Sequence, residues 1–202
     1  MNTLTEIHIT THSKDGKMRD MLTISTSPYE NRFCKKMSEN KDLICHSCYA
    51  FRLCNIRPSL RHALEKNSIL GKRLLPKPQL PVFNSRWVRF NSFGELLNLL
   101  HYKNLIKIAF KNPNTMFSLW TKRQNLVQRV KQVPKNLILI YSFPELNPHD
   151  LKIPKKFHKG FAVFTSKEAK ARGIEFNCQK KCVECLKCYS KNDTSLIFEK
   201  KK

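Results

Sequence analysis

Eight cysteines fall in two windows, residues 34–54 and 178–188, and none lies at positions 55–177. Unrelated buried thiols would scatter, whereas clustered thiols in a reducing compartment point to metal or redox chemistry. The later window reads Cys178-x3-Cys182-x2-Cys185-x2-Cys188, a spacing able to wrap one ion or one cluster. Such spacing suits zinc ribbons and ferredoxin-like iron–sulfur loops, and the C-x2-C-x2-C run resembles cubane-cluster ligation more closely. The earlier window reads Cys34-x10-Cys45-x2-Cys48, with Cys54 six residues on. With Cys54 it makes a closed four-thiol site, and without it three thiols leave one metal position open, as catalysis requires. His46, inside the C-x2-C loop, is a further candidate ligand, and a third reading has the two windows meet in space and share ligands.

Other residues able to do chemistry sit at the ends of short apolar runs. Trp87–Asn91, Thr115–Trp120, Leu137–Tyr141 and Phe161–Phe164 read as strands. Each is followed by S/T-x-x-E/Q: Ser92 with Glu95, Thr121 with Gln124, Ser142 with Glu145, Thr165 with Glu168. That pattern is a helix capping box, so these residues have a structural use before any catalytic one. Arg89 and Lys122 are not needed for capping. With Asn91 and Glu95 they are the candidates for holding a cofactor or substrate, because parallel α/β sheets bind ligands at the carboxyl ends of their strands.

The elements that must position these groups follow from the same rhythm. After Ser92, the apolar positions Leu99, Tyr102, Ile106 and Ala109 predict a helix that stops at Asn112-Pro113. A second helix is predicted over Arg57–Leu75, with Pro58 in its first turn and Pro76 just past its end. Strands alternating with helices imply an α/β fold with a largely parallel sheet. Four or five βα units fall short of a closed barrel, so an open or partial (β/α) barrel is expected, with cysteine-rich metal loops at both ends of the chain. The expected organisation is one domain over 1–202: an N-terminal cysteine region (1–56), a βα core (57–170) and a C-terminal cysteine segment (171–202).

The chain has 202 residues, 41% hydrophobic and 10% aromatic, with only 5 Gly. That composition excludes a disordered chain and a collagen-like one. No run of 18 apolar residues is present, which predicts no membrane span, and Met1–Ser13 lacks a signal peptide's apolar stretch. A cytoplasmic protein is expected. Thirty-eight basic residues against 15 acidic ones give a formal charge of +23. This charge favours polyanions such as nucleic acid or a nucleotide, although Lys-rich solvated faces would give the same total. Lys180, Lys181 and Lys187, flanking the C-terminal thiols, would offset their charge and are the candidate nucleic-acid contacts.

Several segments together resemble the phage gene-product-88 family, proteins of phages, prophages and plasmids. They are Ile24-Ser-Thr-Ser-Pro28, Phe33-Cys34, Ile44-Cys-His-Ser-Cys-Tyr-Ala50, Arg89-Phe-Asn-Ser-Phe-Gly-Glu-Leu96, Leu119-Trp-Thr-Lys122, Leu137–Ser142 and Cys182-Val-Glu-Cys-Leu-Lys-Cys-Tyr189. The resemblance implies a pattern that keeps Cys34, Cys45, Cys48, Cys178, Cys182, Cys185 and Cys188, and does not require Cys54. More distantly, the cysteine loop ahead of βα units and the strand ending in Thr-Lys resemble phage proteins grouped with radical SAM enzymes. There, three cysteines hold a four-iron (4Fe-4S) cluster whose open iron binds S-adenosylmethionine. This chain departs from that pattern in having ten residues, not three, between its first two cysteines, and an aromatic residue after the last one instead of before it. The expectation is therefore an iron–sulfur protein with a radical-SAM-like core bound to a nucleic acid or nucleotide, with a bacterial host cell as its setting. The alternative is a non-catalytic, metal-stapled protein, zinc included, that binds nucleic acid or a host or phage protein.

Overall fold

In the computed structural model, which describes residues 7–12, 16–191 and 195–201, seven strands pair in strict chain order. They are β1 (Thr10–Thr11), β2 (Leu22–Ile24), β3 (Trp87–Phe90), β4 (Met116–Thr121), β5 (Leu137–Leu146), β6 (Lys159–Phe164) and β7 (Leu196–Lys200). β1 runs antiparallel to β2, and every later pairing is parallel. β1 and β7 form the edges, so the sheet is open. Parallel neighbours in sequential order, joined by crossovers of one hand, place their helices on one face.

That division is visible in the packing. Val88, Phe90, Phe117, Leu119, Leu137 and Leu139 face the main core. Against them lie α4 (Ile69–Lys72), α5 (Leu99–Lys111) and α6 (Gln124–Val127), through Leu70, Leu105, Ile108, Ala109 and Leu126. The alternate residues Ile138, Ile140, Phe161 and Ile197 face the other way, where Trp120, Cys178 and Cys188 pack on them. Three further helices, α1 (Arg32–Glu39), α2 (Tyr49–Ile56) and α3 (Pro58–Lys66), fill the connection from β2 to β3, while α7 (Ser166–Ala171) and α8 (Cys182–Cys185) lie between β6 and β7. Among the described residues no helix is long and apolar enough to cross a membrane. Residues 1–6 and Ser13 of the polar start lie outside the described residues.

The α/β reading and the four strands stand, with three local corrections. Of the four capping boxes only Thr165 caps a helix, its hydroxyl accepting from Glu168 N. Ser92 is spent on Ser25 and Thr23, and Asn98 caps α5 by accepting from His101 N. After Ser142 the strand continues to Leu146 because Phe143 is buried and Glu145 bridges to Leu43. The helix expected over 57–75 breaks at Asn67, whose amide donates to Ser25 O (2.8 Å) and His8 O (2.9 Å) and accepts from His8 N.

Candidate metal and ligand site

The carboxyl ends of β2, β3 and β4 are laced together by short polar side chains. Ser25 Oγ accepts from the backbone N–H of both Ser92 and Phe93 and lies 2.8 Å from Ser92 Oγ. Gly94 has φ +66°, and a Cβ there would sit 2.3 Å from Thr26 O, so the turn after β3 requires glycine. This close approach delivers Glu95, which is 5% exposed, to the end of β4. Its carboxylate accepts from Thr121 Oγ1 (2.5 Å), Lys122 N (2.6 Å) and Leu96 N (2.7 Å). Burial raises the Glu95 pKa, while the Lys122 charge and these three donors oppose the rise. Glu95 is thus a strand-end clasp, with both oxygens already engaged.

The first three cysteines surround Lys122. Cys34 lies in the first turn of α1, where Asn31 Oδ1 accepts from Phe33 N and Cys34 N. Cys45 sits in the 3₁₀ turn Ile44–Ser47, and Cys48 is the residue that starts α2. Burial pushes the Cys34 thiol pKa up, assisted by Glu95, Cys48 and Cys45 and opposed by Lys122. Burial would lower the Lys122 pKa, but Cys45, Glu95, Cys48 and Cys34 together hold it above the ordinary lysine value. The ammonium therefore stays charged among the thiols and donates to Ser142 Oγ at 3.2 Å. Cys54 is 1% exposed and packs with Ala50, Leu64 and Phe93, a cluster that Cys48 also touches, and it is not among the residues that line the space around Lys122.

The second set is clipped to the N-terminal segment. Lys17 Nζ donates to Cys178 O (2.7 Å), Cys178 Sγ (3.1 Å) and Glu199 Oε1 (2.5 Å), while Lys17 O accepts from Cys182 N. Cys182 and Cys185 bound α8, Leu186 turns the chain at φ +51°, and Cys188 lies in the 3₁₀ turn Lys187–Tyr189. Arg89 points to this face, its guanidinium 4.1 Å above the Trp120 ring. Burial pushes the Cys188 thiol up to about 12 and raises that of Cys182, with Arg89 the leading opposing charge in both. Charge compensation at these thiols comes from Arg89 and Lys17, not chiefly from the flanking lysines that sequence reasoning chose. Lys180 and Lys181 are exposed and Lys187 is half-buried.

One cavity of ≈1490 Å³ gathers these parts. All seven of the candidate ligands, Cys34, Cys45, Cys48, Cys178, Cys182, Cys185 and Cys188, line it. So do Arg89, Asn91, Glu95 and Lys122, together with Lys180 and Lys187; Lys181 lines a smaller neighbouring cavity with Lys17 and Glu199. The thiols are nevertheless not drawn into single-ion contact. Among the described residues no group of three or more His, Cys, Asp or Glu converges to hold one metal ion, and all eight cysteines are free thiols. A tetrahedral zinc site would need its sulfurs about 3.8 Å apart, from a Zn–S bond of about 2.3 Å. The donor set, half-buried sulfur beside cations, has the chemistry for a soft metal or cluster, without a pre-formed mononuclear cage.

Sequence reasoning missed His12, Lys17, Ser25 and Trp120, all of which help build the site. Trp120 was discoverable, since it stands two residues after Ser118 on the same strand and so shares the face of Arg89. Lys17 carries no local signal, because its partners lie at the other end of the chain.

A family model described as Gene product 88 matches residues 7–201 of the chain. No curated protein and no solved structure matches it.

Proposed function

This chain belongs to the gene product 88 family, and we propose that it is an iron–sulfur protein whose cavity binds a nucleotide or nucleic acid. The observation that carries this reading is that both cysteine sets line one cavity at the carboxyl ends of a mostly parallel sheet. Cys34, Cys45 and Cys48 would hold a four-iron cluster with one position open, and the C-terminal four a second, auxiliary or structural one. Such a cluster, when bound, supplies an electron and an open coordination position for S-adenosylmethionine. The chain's own residues would do the rest. Lys122 offsets thiolate charge, the Glu95–Thr121 clasp holds the strand ends in place, and Arg89 with Asn91 faces the ligand space. Cys54, buried behind Ala50 and Phe93 and absent from the cavity lining, favours the open three-thiol set over a closed four-thiol one.

A second reading is favoured by the Lys17–Cys178–Glu199 contact, which ties together chain ends 161 and 182 residues apart. In that reading the metal is a staple, zinc included, for a non-catalytic protein that binds nucleic acid or a host protein. Anaerobic purification separates the two. A brown protein with several irons per chain and an absorbance that bleaches with dithionite supports the first; a colourless protein holding zinc supports the second, and a metal-free protein overturns both.

A further inference from the structure

The sheet face beneath the cysteines carries polar atoms that the protein itself does not satisfy. Arg89 Nε, Trp120 Nε1, His12 Nε2 and Asn91 Oδ1 are buried, and none has a hydrogen-bond partner among the described residues. All four side chains line the same cavity. Arg89 has no carboxylate within ion-pair distance among the described residues; it stacks on Trp120 and its Nη1 meets only Met18 Sδ, at 3.5 Å. Buried donors lacking acceptors are costly and rare, so several around one cavity point to a ligand that supplies them.

The charge of the cavity defines that ligand further. Nine Lys and Arg side chains line it against three acidic ones. Two of the three are already engaged, Glu199 by Lys17 and Glu95 by three donors. The surplus favours a group bearing more than one negative charge, for which Arg is suited by geometry as well as charge. We propose that the sheet floor of the cavity is a phosphate subsite, where Arg89, Trp120 and His12 hold the phosphoryl group of a nucleotide. His12 serves as the tautomer that carries its proton on Nε2, and Asn91 Oδ1, which can only accept, then meets an N–H or O–H of the attached sugar or base. This subsite lies along the sheet face, where Arg89 is paired with Ser118, and is distinct from the Glu95–Lys122 cluster at the strand ends. It rests on the preceding section only for the choice of a nucleotide as ligand, and needs no metal.

Calorimetric titration of the full-length protein tests it with deoxyadenosine monophosphate, deoxyadenosine, and short oligonucleotides carrying a 5′-phosphate or a 5′-hydroxyl. The monophosphate should bind at least about tenfold more tightly than the nucleoside, and R89Q should remove that advantage. W120F, which keeps a ring under Arg89 but removes the N–H, should weaken phosphate binding severalfold, and it keeps the test open should R89Q misfold. A free nucleotide binding as well as the phosphorylated strand identifies a small-molecule ligand; a strand binding alone identifies a nucleic-acid end, and either supports the subsite. Equal affinity for nucleotide and nucleoside, or affinities unchanged in both variants, overturns it. Metal content measured on the same samples keeps the two readings apart. Phosphate binding without metal would sink the iron–sulfur reading alone, and metal without phosphate binding would sink the subsite alone.

Discussion

Lys17 Nζ lies 3.1 Å from Cys178 Sγ, although 161 residues separate the two. The same ammonium reaches Glu199 on β7, so one side chain ties the N-terminal segment, the second cysteine set and the last strand. Burial alone would lower its pKa, but Glu199 and Cys178 hold it above the ordinary lysine value of 10.5.

Replacing Lys17 by Met should loosen this junction at a cost of about 1 kcal/mol, because the ion pair is partly solvent-exposed. A fall in melting temperature of about 2–4 °C is expected for a chain of this length. The Cys178 thiol, which Lys17 draws downward against burial, should ionise less readily in the variant and react more slowly per unit of exposure. The lysine's contribution is present below pH 10.5 and is lost as pH rises through its higher folded value, so wild type and variant should converge in stability in strong alkali.

Cysteine variants should separate ligands from packing. Cys185→Ser should remove one metal equivalent and Cys48→Ala should empty the N-terminal site, whereas Cys54→Ala should keep full loading, since Cys54 packs with Leu64 and Phe93. Metal analysis of the three purified variants checks this. Equal losses in Cys48→Ala and Cys54→Ala would mean a closed four-thiol site.

Gly94→Ala places a Cβ against Thr26 O at a positive φ. Strain of this kind costs about 1–3 kcal/mol before any clash is relieved. Denaturant unfolding should show the loss, and because Glu95 follows directly, ligand binding should weaken beyond what the lost stability explains.

His101 gives a pH signature. It is 1% exposed, its Nδ1 accepts from Leu97 N, and burial depresses its pKa from 6.5 to about 3. The unfolded chain then binds a proton that the folded one does not. Stability should fall as pH drops below about 6.5, and continue falling to about pH 3. Thermal melts at pH 7, 6 and 5 should show the decline, and His101→Gln should shallow it.

If the +23 charge is a nucleic-acid footprint, binding should weaken with salt at a log–log slope of about −0.9 per duplex phosphate, or −0.7 on single strands. Changing Lys180, Lys181 and Lys187 to Gln should remove about two counterions and not three, because Lys187 is half-buried. Filter binding from 50 to 200 mM salt measures the slope, and wild-type protein that binds nothing at 50 mM would reduce the charge to surface composition.

The strands of the middle of the chain were legible because their apolar runs are short, mix aromatic with β-branched residues and end at polar residues. The outer strands were not: β2 is three residues long, and β7 follows the cysteines without a turn signal. Polar strand-end residues were legible as a group, yet the roles of Ser92 and Thr121 were misread. A hydroxyl three residues before Glu or Gln has the same spacing whether it caps a helix or, like Thr121 ahead of Gln124, reaches across instead to Glu95 of a neighbouring connection. Arg89 was legible by alternation, and the structure turns it to the cavity. Contacts of long sequence separation, such as Lys17 with Cys178, leave no local trace.

That separation also bears on how the protein is made. Chains emerge from the ribosome N-terminus first, and domains begin to fold in that order. Cys34, Cys45 and Cys48 are synthesised long before Cys178–Cys188 and the final strand that complete the cavity wall. During elongation the early thiols therefore lack half of their eventual enclosure. Any cofactor these thiols take up would meet a complete cavity only after β7 has been made, and oxidants present before then would reach the N-terminal set first.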